Sequence, residues 1–252
     1  MNFDVDIFIQ ALTSKALREA VPVTISLAVV SFVAGVAIGF LVALARASRQ
    51  SWLRALGWTY VWIFRAIPTI VLLFFVWNAL PQLVPMLAGP GFLPFYAAVI
   101  GLSVNEGAYA AEIIRGGLLS IDDGQRQAAR ALGMQPTAVF RRIVAPQVIR
   151  VVIPPMANDF ITLLKLTSLA YAVSLREILT VTQTQIASSF KFAEWFGAAA
   201  LYYIVLVSIF MAGQAWLEQR YVWTSAARGA AGSGGILRGF GALGGGLGGV
   251  RR

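Results

Sequence analysis

Arg65, Asn105, Glu106, Asp159 and Lys165 each interrupt an apolar stretch of this sequence, and Pro68 interrupts another without a charge. Ionisable groups among apolar residues at membrane depth are expensive unless they meet a partner or a watery path. Two kinds of chemistry fit these groups. They form ion pairs between neighbouring helices, or they meet opposite charges on a solute that crosses. Position along the apolar runs matches Glu106 with Lys165 and Asp159 with Arg65. Pairing is the reading for Arg65 and Lys165, whereas for Glu106 and Asn105 pairing and substrate contact both stay open. Pro68 removes a backbone donor, which kinks its helix and frees a carbonyl for a solute path or for packing. The chain has no cysteine and no histidine, which excludes disulfides, histidine or thiolate metal ligation and Ser-His-Asp catalysis. Lys165 with Ser168, on one helical face, is the only nucleophile–base candidate left.

A second group lies in an arginine-rich segment between apolar runs. Gln127, Ala128 and Ala129 are followed after three residues by Gly133, and after nine more by Ile143 and then Pro146. Residues 122–149 read as two short helices. Asp122 and Asp123 suit the positive end of the first, and Gly133 stops it because glycine tolerates a left-handed backbone. Pro136 suits the first turn of the second, with Ala138, Phe140, Ile143 and Val144 on an apolar side and Arg141 and Arg142 on a basic one. Small side chains at Ala128, Ala129 and Ala131 permit close approach by another surface. Such a helix–turn–helix fits a groove on a soluble partner; an ordinary amphipathic loop is the bland alternative.

Hydropathy supplies the elements that must hold these groups. Of 252 residues 58% are hydrophobic and only 12% charged, the balance of a membrane protein. Five runs of about 20 residues are each long enough to cross a hydrocarbon core of roughly 30 Å. They extend from Pro22 to Ala45, from about Trp58 to Leu80, from about Pro94 to Ile114, from about Val151 to Val173, and from Phe196 to Leu217. The first is longer than the apolar core of a secretory signal, so it is expected to remain as an anchor. Fourteen Lys and Arg residues fall in the segments on one side and four on the other, with Arg65 and Lys165 inside spans. The positive-inside rule puts the fourteen in the cytoplasm, leaving the N-terminus outside and the C-terminus inside. The net charge of +9 is therefore a matter of topology, and no nucleic-acid partner is expected. The outer loop from Ser174 to Trp195 carries Ile178, Val181, Ile186 and Phe190 at helical spacing, which predicts a short helix on the outer surface. Residues 1–222 read as one membrane domain. Residues 223–252, rich in Gly and Arg, read as a disordered cytoplasmic tail.

The spacing from Gln127 to Pro146 resembles the cytoplasmic coupling loop of ABC-importer permeases, whose pattern is Glu-Ala-Ala, three residues, Gly, nine residues, Ile, one residue, Leu-Pro. Gln127 and Ala145 are the departures. Other segments are similar to the polar amino acid permeases of bacterial type I ABC importers: Thr24-Ile-Ser-Leu, Phe64-Arg-Ala-Ile-Pro68, Ala108-Tyr-Ala-Ala-Glu-Ile-Ile-Arg-Gly116 and Leu164-Lys-Leu-Thr-Ser-Leu169. The likeness covers about residues 20–222 and makes the Lys165–Ser168 enzyme reading improbable. It implies an all-α membrane protein with five transmembrane helices and a cytoplasmic helix–turn–helix coupling loop, the type I ABC importer permease fold. It also implies a permease subunit of the bacterial inner membrane that passes a polar amino acid inward by alternating access. The partners implied are a pair of ABC ATPase subunits that bind ATP and Mg, an extracytoplasmic substrate-binding protein, and a second copy or similar permease chain. No cofactor is expected in this chain: none of its three lysines follows a glycine, so there is no phosphate-cradling loop for ATP. An ion-gradient-driven secondary transporter is the alternative, disfavoured by five spans with no inverted repeat.

Overall fold

The computed structural model describes residues 3–221, all of them helix or short connection with no strand. The tail from 223 lies outside the described residues. Helix α1 is Val5–Leu12, opened by Asp4, whose side chain accepts the Ile7 N–H at 3.2 Å. Helix α2, Lys15–Ala47, starts earlier than the hydropathy indicates and holds Pro22 inside it. Four small residues on α2, Ser31, Gly35, Gly39 and Ala43, recur every fourth position and are all buried. They make the seam with helix α6, Pro94–Leu119, the most extensive helix pair among the described residues. At Gly39 a Cβ would stand 2.8 Å from the Ala111 nitrogen and 2.9 Å from the Gly107 oxygen, so only glycine lets the backbones approach this closely. Small residues at every fourth position are how helices pack where no water drives them together.

The second apolar run is broken, not merely kinked. Helix α3 is Ser51–Ala66, and helix α4, Thr69–Phe74, follows it; the axis of α3 meets that of Thr69–Leu83, which α4 opens, at 102°. Ile67 and Pro68 are extended, with ψ of 127° and 133°, because a residue before proline avoids the helical region. Pro68 has no N–H to give the carbonyl four residues back, that of Phe64. Asn105 of α6 supplies the missing donor, its Nδ2 lying 3.0 Å from the Phe64 oxygen. Helix α4 runs through a π turn, Phe75–Ala79, into helix α5, Leu80–Leu83.

Helix α7 is Asp123–Ala131 and helix α8 is Pro136–Val139. A second π turn, Phe140–Val144, joins α8 to helix α9, Ala145–Leu166. Both π turns have one cause. Each ends just before a proline, Pro81 or Pro146, and each is closed by the residue preceding that proline: Leu80 N–H to Phe75 C=O, Ala145 N–H to Phe140 C=O. A widened turn makes room for a ring that would clash with a carbonyl in a regular helix. Helix α10, Ile178–Ser189, buries Ile178, Val181 and Ile186. It does not simply lie on the surface: the Ile178 N–H reaches Thr24 Oγ1 of α2 at 3.4 Å. Phe190 falls beyond its end, left-handed at φ 55° and exposed. Helix α11, Phe192–Tyr221, closes the bundle.

By length and composition α2 and α11 qualify outright as membrane spans, and α3 to α5 count as a third if the bent pair is one span. Helices α6 and α9 have 26 and 22 residues, long enough to cross, but carry the ionisable groups singled out above.

Candidate functional site

The arginine-rich segment folds as a hairpin. Asp122 Oδ1 accepts the Gly124 N–H at 2.6 Å, capping α7. Asp123 meets Arg126 at 3.2 Å, and Arg126 also reaches the Leu118 carbonyl. Gly133 has φ +78°, a left-handed backbone that strains other residues. Its N–H bonds to Arg130 C=O and that of Met134 to Ala129 C=O, which turns the chain back toward Pro136.

The hairpin has a small core of its own: Ala129, Ile121, Val139, Val144 and Val148, with Met134 and Ile143 packed against them. Gln147 Nε2 donates to Gln125 Oε1 at 2.6 Å and ties α7 to the start of α9. The residues matched to the coupling pattern therefore divide. Gln127, Ala128, Gly133 and Pro146 are exposed, whereas Ala129 is buried and Ile143 half-buried. Ala129 holds the hairpin together and does not offer space to another surface. Leu132, which sequence reasoning passed over, is 84% exposed at the hairpin tip; an apolar residue just before the stop glycine was the available signal. The second helix is not a separate piece either. It continues through the π turn into α9, and Phe140, expected on its apolar side, is exposed.

The intramembrane groups pair differently from the expectation by depth. Glu106 is 3% exposed and faces Asp159 of α9, close enough for a direct side-chain interaction. Lys165 is exposed and forms no salt bridge with the described residues. The reason is angular. Six residues along a helix turn the side chain through about 240°, so Lys165 points away when Asp159 points at α6. Arg65 does not meet Asp159; its guanidinium lies 5.2 Å from the Tyr109 ring centre, a cation–π contact. Arg65 and Tyr109 line a groove of about 430 Å³ with Trp58, Trp62 and Glu112. Glu112 is taken by Arg46 of α2 and by Arg115, the latter at 2.8 Å.

Glu106 Oε1, Asp159 Oδ2 and the hydroxyls of Ser31 and Ser103 are buried without a hydrogen-bond partner. A Cβ on Gly35 would stand 2.5 Å from Glu106 Cγ and 3.2 Å from the Ser103 oxygen, which places these groups along the α2–α6 seam. The result is a buried cluster of two facing acids and two hydroxyls between α2, α6 and α9 that is short of hydrogen-bond donors, suited to a group that donates hydrogen bonds. Asn105 is occupied with the Phe64 carbonyl and Pro68 forms the break itself, so these two fix the bend between α3 and α4. Glu177 was also missed. It is fully buried, caps α10 through the Leu179 and Thr180 N–H groups, and accepts the Tyr203 hydroxyl at 2.9 Å. An acid three residues before a threonine at a helix start was its only sequence signal.

Residues 35–223 match the family described as binding-protein-dependent transport system inner membrane component. The arginine transport system permease protein ArgU of Corynebacterium glutamicum is 38% identical over 209 residues, covering 79% of this chain and 66% of that one. The octopine transport system permease protein OccM of Rhizobium radiobacter is 37% identical over 199 residues, covering 77% and 81%. A solved amino acid ABC transporter, crystallised with histidines, superposes with a TM-score of 0.79 at 26% identity, over 87% of this chain and 100% of that one.

Proposed function

The chain belongs to the binding-protein-dependent transport system inner membrane components, as an amino acid permease subunit of an ABC importer, and on that premise we propose how it works. The hairpin of α7 and α8 is the contact for a separate pair of ATPase subunits, which bind ATP and Mg. Gln127, Ala128, Gly133 and Leu132 present its outer surface, Ala129 and Ile143 keep it rigid, and Pro146 sets the π turn behind it. One observation carries this reading: α8 runs without a break into α9, which bears Asp159. A push on the hairpin therefore tilts the helix that carries Asp159 against Glu106, and alternating access follows as α9 moves against α2 and α6.

The buried acids Glu106 and Asp159 meet the positively charged part of a polar amino acid as it crosses. The broken span at Pro68, held by Asn105, forms the opposite side of the path, with Arg65 at its edge and Lys165 outside it. Substrate arrives from an extracytoplasmic binding protein, and a second copy or similar permease completes the pore. The N-terminus is extracytoplasmic and the C-terminus, with the tail of residues 223–252, cytoplasmic. Arginine is the first substrate to try, given the relative named for it.

Reconstitution with the ATPase and binding protein in vesicles of controlled ion gradient tests the whole reading. Uptake should require ATP inside the ATPase-facing compartment and persist when ion gradients are collapsed. Uptake that follows the gradient and ignores ATP returns the assignment to a secondary transporter.

A further inference from the structure

Helix α7 has two faces. Arg126 and Arg130, four residues apart, lie on one of them. At 100° per residue their midpoint is about 180° from Ala128, so the arginines point away from the surface assigned to the ATPase. Arg126 is fixed in place: its guanidinium donates to Asp123 at 3.2 Å and to the Leu118 carbonyl at 3.1 Å. Arg130 is exposed and forms no ion pair with the described residues.

This arginine face opens into a groove of about 360 Å³. Ala47, the last residue of α2, and Leu119, the last of α6, form one side of it, and Val139 and Phe140 of the returning hairpin form the other. The lining holds two guanidinium groups and no acid, and every other side chain in it is apolar. Leu119 and Phe140 are 70% and 52% exposed. A free inorganic anion gains from the arginines alone. An anionic amphiphile gains from both parts of the groove, since its binding adds buried apolar area to charge attraction.

Ala47 fixes the depth of the groove. The charge-free stretch of α2 runs from Pro22 to Ala45, about 36 Å of helix, enough for a hydrocarbon core of roughly 30 Å. Ala47 stands two residues past its end, at the level of the bilayer boundary. Phe40, Leu44 and Ala47 recur at helical spacing on one face of α2, and all three are exposed. Helix α2 qualifies as a membrane span, so this apolar stripe leads from the acyl region directly to the groove. Trp52, 59% exposed at the start of α3, stands at the same end, as aromatic residues do at membrane interfaces.

We propose that this groove holds the headgroup of an anionic phospholipid, its phosphate between Arg126 and Arg130 and one acyl chain following Ala47, Leu44 and Phe40 along α2. Guanidinium groups take phosphate oxygens through paired, charge-assisted hydrogen bonds, and basic pockets between membrane helices collect such headgroups. The side-chain hydrogen bonds of α7 reach α6 at Leu118 and α9 at Gln147; the bound lipid adds α2 to that set. The inference rests on α2 being a membrane span and not on the ATPase contact.

The test titrates the full-length permease, extracted in detergent and stripped of lipid, with phosphatidylglycerol and separately with phosphatidylcholine, counting bound lipid by native mass spectrometry. Phosphatidylglycerol should bind at several-fold lower concentration than phosphatidylcholine. Arg130→Gln should abolish that preference, and Arg130→Lys should keep part of it. Leu119→Asp, which places an acid on the α6 side of the groove, should abolish it as well. Arg142→Gln removes an equal charge from an exposed arginine outside the groove and should leave the preference unchanged. The three positions are exposed, so each variant is expected to stay monodisperse. No preference in the parent, or an undiminished one in Arg130→Gln, overturns the proposal. An equal loss in Arg142→Gln overturns it too, because net charge then attracts the lipid without a site. Displacement of the lipid by inorganic phosphate would reveal a free-anion site instead. Loss of the preference on adding the ATPase would show that the groove is covered by protein, which also defeats the proposal.

Discussion

The α7–α8 hairpin and the buried polar cluster between α2, α6 and α9 are built on opposite rules. In the hairpin, neighbours in sequence are neighbours in space: Asp122 caps the helix it precedes, Gly133 turns the strand of residues it sits in, and Ala129 packs on Val139 and Val144. In the cluster, Ser31, Gly35, Glu106 and Asp159 come from three helices, and their meeting depends on rotation about each helix axis. The difference teaches where each can be damaged. The cluster and its seam fail through volume and the hairpin through shape at one turn.

The largest effect is expected at the seam. Gly39→Leu pushes a side chain against backbone atoms of Gly107 and Ala111, which cannot yield as a side-chain end can. Overpacking of this kind costs about 1–3 kcal/mol and occasionally more. Loss of monodisperse protein after detergent extraction is the expected readout, and a well-behaved variant would show that α2 and α6 are further apart than described.

Gly133→Asp should come next, with uptake lost and insertion kept. The backbone strain of about 1–2 kcal/mol falls on a hairpin with its own core, so thermal stability in detergent should change little. Normal ATP-driven uptake by this variant breaks the contrast, since the hairpin would then tolerate what its geometry forbids.

Asn105→Leu sharpens the comparison from inside the bundle. It strands the Phe64 carbonyl beside Pro68, an expected loss of about 1–3 kcal/mol in stability. Pro68→Ala added to it should restore part of that loss, because a regained N–H can serve the same carbonyl. No recovery in melting temperature would sink this account of the break.

Glu106→Gln is expected to fold at least as well as the parent, since an amide beside Asp159 replaces one of two facing acids, and to lose transport. Lys165→Met should be additive with it within about 0.5 kcal/mol. A clear rescue of stability in the double variant would revive a Glu106–Lys165 pair.

The smallest effect concerns Asp4, outside the spans. The Ile7 N–H holds its carboxyl below the ordinary value, with Lys191 adding to the effect against partial desolvation. A depressed folded value means that its contribution is complete above the usual carboxylate range and lost only as pH falls through the folded value. The mobility of a nitroxide at position 10 should therefore stay constant from neutral pH to about 4 and rise only below it. Loosening between pH 7 and 5 contradicts that assignment.

Much of this was legible without coordinates. The hairpin's start, stop and return are written in Asp122, Gly133 and Pro136, because caps and turns are decided by the local backbone. The apolar runs placed the membrane helices, and the order of the short motifs gave the family. The seam was legible in part: small residues at 31, 35, 39 and 43 carry the pattern, although nothing in span one says which helix they meet.

What the sequence determined by itself was depth along each helix and the chemistry available there. Only the tertiary structure decided azimuth and partner. Glu106 and Lys165 matched in depth, yet helix phase turns Lys165 outward and leaves Glu106 against Asp159. Pro68 announced a missing hydrogen bond, but the fold alone shows that Asn105 supplies it and that the bend reaches 102°. The physical reason is common to both cases. Hydropathy and local propensity act along one axis, whereas side-chain pairing depends on how helices rotate and approach, and here that is set by the glycines that let α2 press against α6.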